Sequence, residues 1–215
     1  MNRVLVYGGT FDPVHRGHIE SVLGVVQLLG DVNAYLVPCK IPAHRPQPVA
    51  SPEDRLKMLE LAIGNRHQIF VDDSELRRDG VSYTFDTLAG YRRKLGKTTP
   101  LFFLMGYDSW VTLPKWYRWQ EIVDLAHLLV LERPGVKPAI PEPLQSWSEP
   151  REVAALGEVI DEASGNICFV SVGQIDVSAS GLRQSLVKGD VVKGDMSPRV
   201  LKYVKQQKLY TMKFR

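Results

Sequence analysis

The chain has 215 residues, of which 44% are hydrophobic and 24% are charged, and its formal net charge is +3. A chain of this length and apolar content can bury one substantial core, so we expect a single domain over residues 1–215. The charge is too small to predict a nucleic-acid partner, and there is neither a run of ~18 apolar residues for a membrane span nor a secretory signal. With two separated cysteines, Cys39 and Cys168, the composition predicts a cytoplasmic protein without a membrane partner.

The first predicted element is a strand that leads through a tight turn into a helix. Residues 4–6 are a short apolar run, and Asp12-Pro13 supplies turn chemistry behind it. The pair Gly8-Gly9 lets the backbone take positive φ and approach a ligand closely. Apolar residues at helical spacing then predict a helix that begins near Arg16 and ends at Gly30.

Two histidines mark the start of this helix. His15 and His18 are three residues apart, so they share one side of a first turn whose unpaired N–H groups and dipole favour an anion. Two imidazoles there would add donors for a phosphate. A zinc pair and a purely structural pair are the alternatives, but zinc needs further ligands and both cysteines are isolated. The pair therefore favours a phosphate site.

A second strand over residues 34–38 ends in a loop rich in proline and basic residues. Within that loop, His44 and Arg45 either contact a phosphate or belong to a solvated basic loop, and the histidine pair upstream favours phosphate. Ser51 then caps a helix that ends at Gly64, which we interpret as scaffold.

The next segments predict a short strand, a charged rim and a capped helix. Residues 69–71 are the strand, and the charged residues 72–78 are expected to form a mainly solvated rim. Thr84 is the predicted N-cap of a helix that ends at Gly96. Because a cap with spare N–H donors is itself an anion site, this helix start could also bind a ligand.

A continuous apolar run over residues 101–105 is typical of a central parallel strand. Gly106 and Asp108 follow at its carboxyl end, where α/β sheets bind ligands, so Asp108 is a candidate for a ribose hydroxyl or a metal-bound water. Trp116 and Tyr117 lie in an aromatic cluster, and residues of this type are more often core than ligand site.

The remaining chain adds two more strands and two helices. Arg133 follows a strand at residues 127–131 and suits either a phosphate or a surface ion pair. Composition changes at about 136–166, which we interpret as a variable surface excursion with a short helix near 153–160. A strand at 167–172 precedes a loop and helix that contain Ser180 and Arg183, and a last helix starts at residue 197.

Strands and helices alternate, and nearly every candidate residue follows a strand. This order predicts an α/β fold with a doubly wound, mostly parallel sheet of Rossmann-like topology.

Several of these segments resemble the nucleotidylyltransferase superfamily, whose signature contains an H-x-G-H box. The signature matches Gly8-Gly9-Thr10-Phe11-Asp12-Pro13 followed by His15-Arg16-Gly17-His18. Residues 82–88, 113–117 and 177–183 resemble the S-Y-T-x-[DQ]-T-L, L-x-x-W-Y and I-S-[SA]-T-x-[IL]-R elements of bacterial nicotinate-mononucleotide adenylyltransferases, with Ser180 in place of the usual threonine. The resemblance covers nearly the whole chain outside the 136–166 region.

The resemblance implies transfer of an adenylyl group from ATP to nicotinate mononucleotide, with Mg²⁺ carried on ATP and no metal site on the protein. It implies catalytic roles for His15, His18 and Arg183. It implies an ATP site formed by Gly8, Gly9, Thr10, Phe11, His15, His18, Gly106, Asp108, Arg133, Ser180 and Arg183. It implies a mononucleotide site formed by His44, Arg45, Thr84, Trp116 and Tyr117, and here it reverses the core interpretation of the aromatic pair.

Other functions remain open at this point. A related adenylyltransferase that uses pantetheine phosphate or nicotinamide mononucleotide would share the histidine box, but pantetheine phosphate gives no reason for the elements at 82–84 and 116–117. A non-catalytic nucleotide sensor would be expected to lose a histidine or Arg183, and none is lost.

Overall fold

Residues 3–43, 46–132, 139–173, 177–190 and 194–211 are described by a computed structural model, in which one parallel sheet lies between helices. The strands are β1 Arg3–Gly9, β2 Val32–Pro38, β3 Ile69–Val71, β4 Leu101–Gly106, β5 His127–Leu131, β6 Glu152–Val153 and β7 Ile167–Val170. The helices are α1 Arg16–Leu29, α2 Pro52–Ile63, α3 Ser74–Arg77, α4 Thr84–Leu95, α5 Tyr107–Trp110, α6 Ile122–Leu125, α7 Glu142–Ser148, α8 Ala179–Lys188 and α9 Pro198–Gln206. Short 3-10 turns span Leu113–Lys115, Trp119–Glu121, Glu149–Arg151 and Leu156–Glu158.

The strand order is β3-β2-β1-β4-β5-β7-β6, and each neighbouring pair is parallel. The chain winds in one direction from β1 to β3 and in the other from β4 onwards. A crevice therefore opens between the carboxyl ends of β1 and β4, which is the ligand site of doubly wound sheets. The predicted α/β fold is confirmed.

The sheet separates two hydrophobic clusters because successive side chains of a strand point to opposite faces. Phe102 and Leu104 of β4 pack with α1 and α2, whereas Leu101 and Phe103 pack with α4 and α6. Residues 101–105 are all buried, as the continuous apolar run predicted. The paired core gives the crevice a rigid floor.

Local signals placed most helix ends correctly. α1 begins at Arg16 as predicted, and Gly30 follows it with a φ of 72°. Ser51 caps α2 by accepting a hydrogen bond from the Asp54 N–H. Thr84, in contrast, is the first helical residue of α4, and Tyr83 occupies the N-cap position.

The region at 136–166 differs from its prediction where the structure describes it. The expected helix near residues 153–160 is wrong: Glu152–Val153 forms β6, which pairs with β7, and Leu156–Glu158 is a 3-10 turn. Pairing with an existing strand outweighs the weak helix preference of so short a segment.

No helix among the described residues is long and apolar enough to cross a membrane.

Candidate active site

The turn after β1 lies in the crevice and is shaped by Phe11. This residue has a φ of 49°, and its ring packs edge-on against Tyr7 and His18 at centroid distances of 5.7 and 5.0 Å. A Cβ atom on Gly9 would lie 2.8 Å from the Phe11 ring. Gly8 and Gly9 do not use the positive φ that glycine allows: both lie in β1, and Phe11 takes the strained conformation instead. Glycine is required at position 9 because a side chain there would collide with the Phe11 ring.

The two histidines lie together at the N-terminus of α1, as the spacing predicted. His15 is the N-cap residue, and its ring stacks on that of His18 with centroids 3.7 Å apart. The backbone N–H of His15 donates to Nδ1 of His18 over 3.2 Å. Because that N–H can only donate, Nδ1 must be the acceptor, and the proton of neutral His18 is on Nε2. His18 thus has the tautomer that donates through Nε2.

Asp12 connects this turn to three distant segments. Its buried carboxylate accepts the N–H groups of Val49 and Ala50 over 2.7 and 3.0 Å and the hydroxyl of Tyr210 over 2.6 Å. Its backbone carbonyl accepts a hydrogen bond from Arg183 Nη1 over 2.6 Å. Sequence reasoning treated Asp12 only as turn chemistry. The signal that could have identified its role is the position of an acidic residue just beyond the carboxyl end of a central strand, where ligands bind.

Arg55 is a second buried charge that the sequence does not single out, since the pattern of α2 is that of a scaffold helix. Its side chain is fully buried, and Nη1 donates to the carbonyl of Thr10 over 2.9 Å. Nε and Nη2 make no hydrogen bond to any described residue. The guanidinium therefore adds positive charge beneath the turn.

Cys39 lies near this guanidinium. Burial raises the pKa of the Cys39 thiol, although the positive charge of Arg55 opposes the shift.

Helix α8 brings Arg183 to the same turn. Ser178 caps the helix through a 3.1 Å hydrogen bond from the Gly181 N–H. Ser180 is exposed, with its hydroxyl oxygen 3.3 Å from that of Ser178. Arg183 lies 3.8 Å from the Asp12 carboxylate and is about one-third exposed at 32%. The guanidinium is therefore both held in place and accessible.

The opposite side of the crevice is built around the first turn of α4. The ring of Tyr117 lies against that of Tyr83 at 4.7 Å, directly before Thr84, and is 48% exposed. Trp116 is partly buried and meets Phe103 edge-on at 6.3 Å. The structure thus brings Tyr117 to the helix start together with Thr84, while Trp116 leans towards the sheet.

A buried polar network lies beside this helix start. Glu75 accepts a hydrogen bond from the Thr87 hydroxyl over 2.5 Å, and Arg78 donates to the same hydroxyl oxygen over 3.1 Å. Ser82 accepts from the Lys40 N–H over 2.9 Å. Burial raises the pKa of Glu75, and hydrogen bonds from Thr87 and Ser82 oppose the shift. The prediction that residues 72–78 are a solvated rim is therefore wrong at Glu75, which is 6% exposed.

The remaining predicted site residues are at the end of β4 or outside the described ranges. Gly106 ends β4 and precedes α5, and Asp108 is exposed in the first turn of that helix. His44, Arg45 and Arg133 lie outside the described residues. The described part of the chain contains no group of three or more His, Cys, Asp or Glu side chains placed to hold a metal ion.

This sheet order, with a histidine pair and an arginine at its switch point, defines a nucleotide-binding α/β protein. A family model described as cytidylyltransferase-like matches residues 6–184. A "Probable nicotinate-nucleotide adenylyltransferase" of Serratia proteamaculans is 41% identical over 207 residues, which cover 95% of this chain and 94% of that protein. A protein of the same name from Pectobacterium atrosepticum is 38% identical over 95% of this chain and 96% of its own length.

Solved structures show the same fold. "Plasmodium falciparum nicotinic acid mononucleotide adenylyltransferase complexed with NaAD" matches with a TM-score of 0.74 and 20% identity over 98% of both chains. The same enzyme "complexed with APC" matches with a TM-score of 0.70 and 20% identity over 97% of this chain and 96% of that one. The chain belongs to the cytidylyltransferase-like family and, within it, to the nicotinate-nucleotide adenylyltransferases that it matches over almost its whole length.

Proposed function

We propose that this protein transfers the adenylyl group of ATP to nicotinate mononucleotide, a step of NAD synthesis that yields nicotinate adenine dinucleotide and pyrophosphate. The observation that carries the proposal is the convergence of the stacked pair His15 and His18 with Arg183 on one turn at the switch point of the sheet. The names of relatives about 40% identical over nearly the whole chain support the choice of reaction.

The proposed step is a direct in-line displacement. A phosphate oxygen of the mononucleotide attacks the α-phosphorus of ATP, a new P–O bond forms, and the bond to the bridging oxygen breaks as pyrophosphate leaves with its electron pair. Such a transfer requires positioning and stabilisation of charge on the phosphoryl oxygens. The Nε2–H of His18 and the N-terminus of α1 offer donors for that charge, and Arg183 offers a planar fork for the triphosphate.

The donor substrate is assigned to the turn and to the ends of β4 and α8. We propose that the following residues bind ATP: Gly8, Gly9, Thr10, Phe11, His15, His18, Gly106, Asp108, Arg133, Ser180 and Arg183. Asp108 offers an exposed carboxylate, which suits a ribose hydroxyl or a water molecule bound to an Mg²⁺ ion. Such an ion would arrive with ATP and neutralise triphosphate charge.

The acceptor is assigned to the opposite side. The first turn of α4 at Thr84 presents backbone N–H donors that suit a pyridine carboxylate, and Tyr117 offers an accessible ring face beside it. We assign Trp116 to the same wall, and His44 and Arg45 to the mononucleotide phosphate. An amide in place of the carboxylate would set its NH₂ against N–H donors and leave one of them unpaired.

The proposal is tested with purified protein, MgATP and three separate acceptors: nicotinate mononucleotide, nicotinamide mononucleotide and pantetheine phosphate. Pyrophosphate release and chromatography of the products give kcat/KM for each. We expect nicotinate mononucleotide to exceed the amide by about ten- to a hundred-fold, because an unsatisfied buried polar group costs about 1–3 kcal/mol. A higher kcat/KM with the amide would overturn the assignment of nicotinate mononucleotide as the acceptor. Binding of ATP without turnover of any acceptor would indicate a nucleotide sensor.

The cellular location follows from this reaction as a further proposal. Because ATP and pyridine nucleotides are cytoplasmic metabolites, we expect the protein to act in the cytoplasm with small molecules as its partners.

A further inference from the structure

Tyr210 joins the end of the described chain to the turn after β1. Its side chain is 5% exposed, its φ is 55°, and its hydroxyl donates to Asp12 Oδ1 over 2.6 Å across 198 positions of sequence. Burial and the contact with Asp12 both raise the pKa of Tyr210. The phenol therefore keeps its proton and acts as a donor.

The acceptor of this bond is the residue that holds Arg183. One Asp12 oxygen receives the Ala50 N–H together with the Tyr210 hydroxyl, and the other receives the Val49 N–H. The carboxylate is thus fixed from two sides, by the loop before α2 and by the chain end. The backbone carbonyl of the same residue accepts the 2.6 Å bond from Arg183. Movement of Asp12 would therefore move the acceptor that orients the guanidinium.

We propose that Tyr210 is a positioning residue for adenylyl transfer, which acts through Asp12 to hold Arg183 at the triphosphate. The proposal rests on the proposed function only in that Arg183 binds the triphosphate. It assigns a role in the site to the C-terminal segment after α9, which none of the sequence motifs includes.

The chain offers a matched control. Tyr203 in α9 also donates its hydroxyl to a carboxylate, that of Asp54 in α2, over 2.8 Å. Asp54 lies in the first turn of α2, and no described hydrogen bond connects it to Arg183. Tyr203→Phe and Tyr210→Phe remove the same oxygen from the same kind of bond, so the pair separates an effect on the site from a general effect of losing one bond.

The test measures kcat and both KM values for wild type, Tyr210→Phe, Tyr203→Phe, Arg183→Ala and the double variant Tyr210→Phe/Arg183→Ala. We expect Tyr210→Phe to lower kcat/KM for ATP by about ten-fold or more, as for other hydrogen bonds to charged groups, with KM for the mononucleotide little changed. On the Arg183→Ala background the same change should cost less than about threefold, because the residue that it orients is gone. Tyr203→Phe should stay within about twofold of wild type.

A second readout is independent of the acceptor. Titration calorimetry with a non-hydrolysable ATP analogue should show weaker binding to Tyr210→Phe than to wild type, and equal binding to the two variants that lack Arg183. This result would stand even if the acceptor were a different mononucleotide. Circular dichroism on heating defines a temperature at which all variants are folded, and the comparison is made there. Equal losses for both tyrosine variants, full additivity with Arg183→Ala, or unchanged ATP binding would overturn the proposal.

Discussion

The turn after β1 and the start of α4 both present a helix N-terminus to the crevice, but they are held by different contacts. Asp12 in the first binds groups up to 198 positions away, and its partners are buried or part-buried. The second is held by bonds of shorter range, from Thr87 to Glu75 at 12 positions up to Lys40 with Ser82 at 42 positions, and its aromatic wall ends in the half-exposed Tyr117. The proposed triphosphate side is therefore preorganised by contacts that reach the C-terminal part of the chain, and the proposed pyridine side by contacts within residues 40–117.

The largest expected effect is on the triphosphate side, at His18. If His18 donates to developing phosphoryl charge, His18→Ala should lower kcat by about a hundred- to a thousand-fold, the loss typical of one preorganised donor. The histidine rings pack at the crevice rather than in a core cluster, so the fold should persist. His67→Ala, at an exposed histidine between α2 and β3, is the control and should leave kcat unchanged. Near-native turnover of folded His18→Ala at saturating substrates would refute the assignment.

Arg183→Ala should have the next largest effect, and this effect should be confined to the ATP side of the site. The loss of a charged, forked contact is expected to raise KM for ATP by about ten- to a hundred-fold, and KM for the mononucleotide much less. Lysine at this position should restore part of the loss, because it carries the charge without the fork. Arg199→Ala on the exposed face of α9 serves as the control. A change in the mononucleotide KM alone would mean that the two sides are exchanged.

Tyr117→Ala tests the other side and should have a smaller effect. Aromatic contacts contribute about 0.5–1.5 kcal/mol, so KM for the mononucleotide should rise by about two- to twelve-fold while KM for ATP stays constant. The ratio of acid to amide kcat/KM should change little, because a ring face does not distinguish the two groups. Phe70→Ala, at an exposed ring on the edge strand β3, is the control. A collapse of the acid preference would show that the ring acts on the carboxylate as well.

Glu75→Gln should produce the smallest effect, and it depends on pH. Burial raises the pKa of Glu75 above its ordinary value of 4.5. Below that value the carboxyl is protonated in both folded and unfolded chains; as pH rises through the folded pKa, the unfolded state is favoured by its easier ionisation. The free energy of unfolding of wild type should therefore fall relative to that of Glu75→Gln as the pH rises above the ordinary carboxyl pKa of 4.5. Urea titrations of both proteins at several pH values measure this difference, and parallel curves would contradict it.

Local sequence signals predicted the frame of the site well. The turn between β1 and α1, the caps at Gly30 and Ser51, and the buried run of β4 all follow from spacing and backbone preferences within a few residues. His15 and His18 could be placed on one side of a helix start for the same reason. Such features depend on neighbours in the chain, which the sequence displays directly.

Tertiary structure decided which charged groups became buried and which short segment became a strand. Asp12, Arg55 and Glu75 look like ordinary turn, helix-surface and rim residues, yet each is buried against partners brought in by the fold. Residues 152–153 form a strand because the fold places them beside β7, with which they pair.

The α/β alternation, the tight turn after β1 and the histidine pair could all be predicted from the sequence, because periodicity and capping act between residues a few positions apart. Only the folded chain decided that Tyr210 meets Asp12 and that Asp12 meets Arg183, across 198 and 171 positions. A buried carboxylate needs donors from any direction, and the direction from which they arrive is set by how helices pack on the sheet.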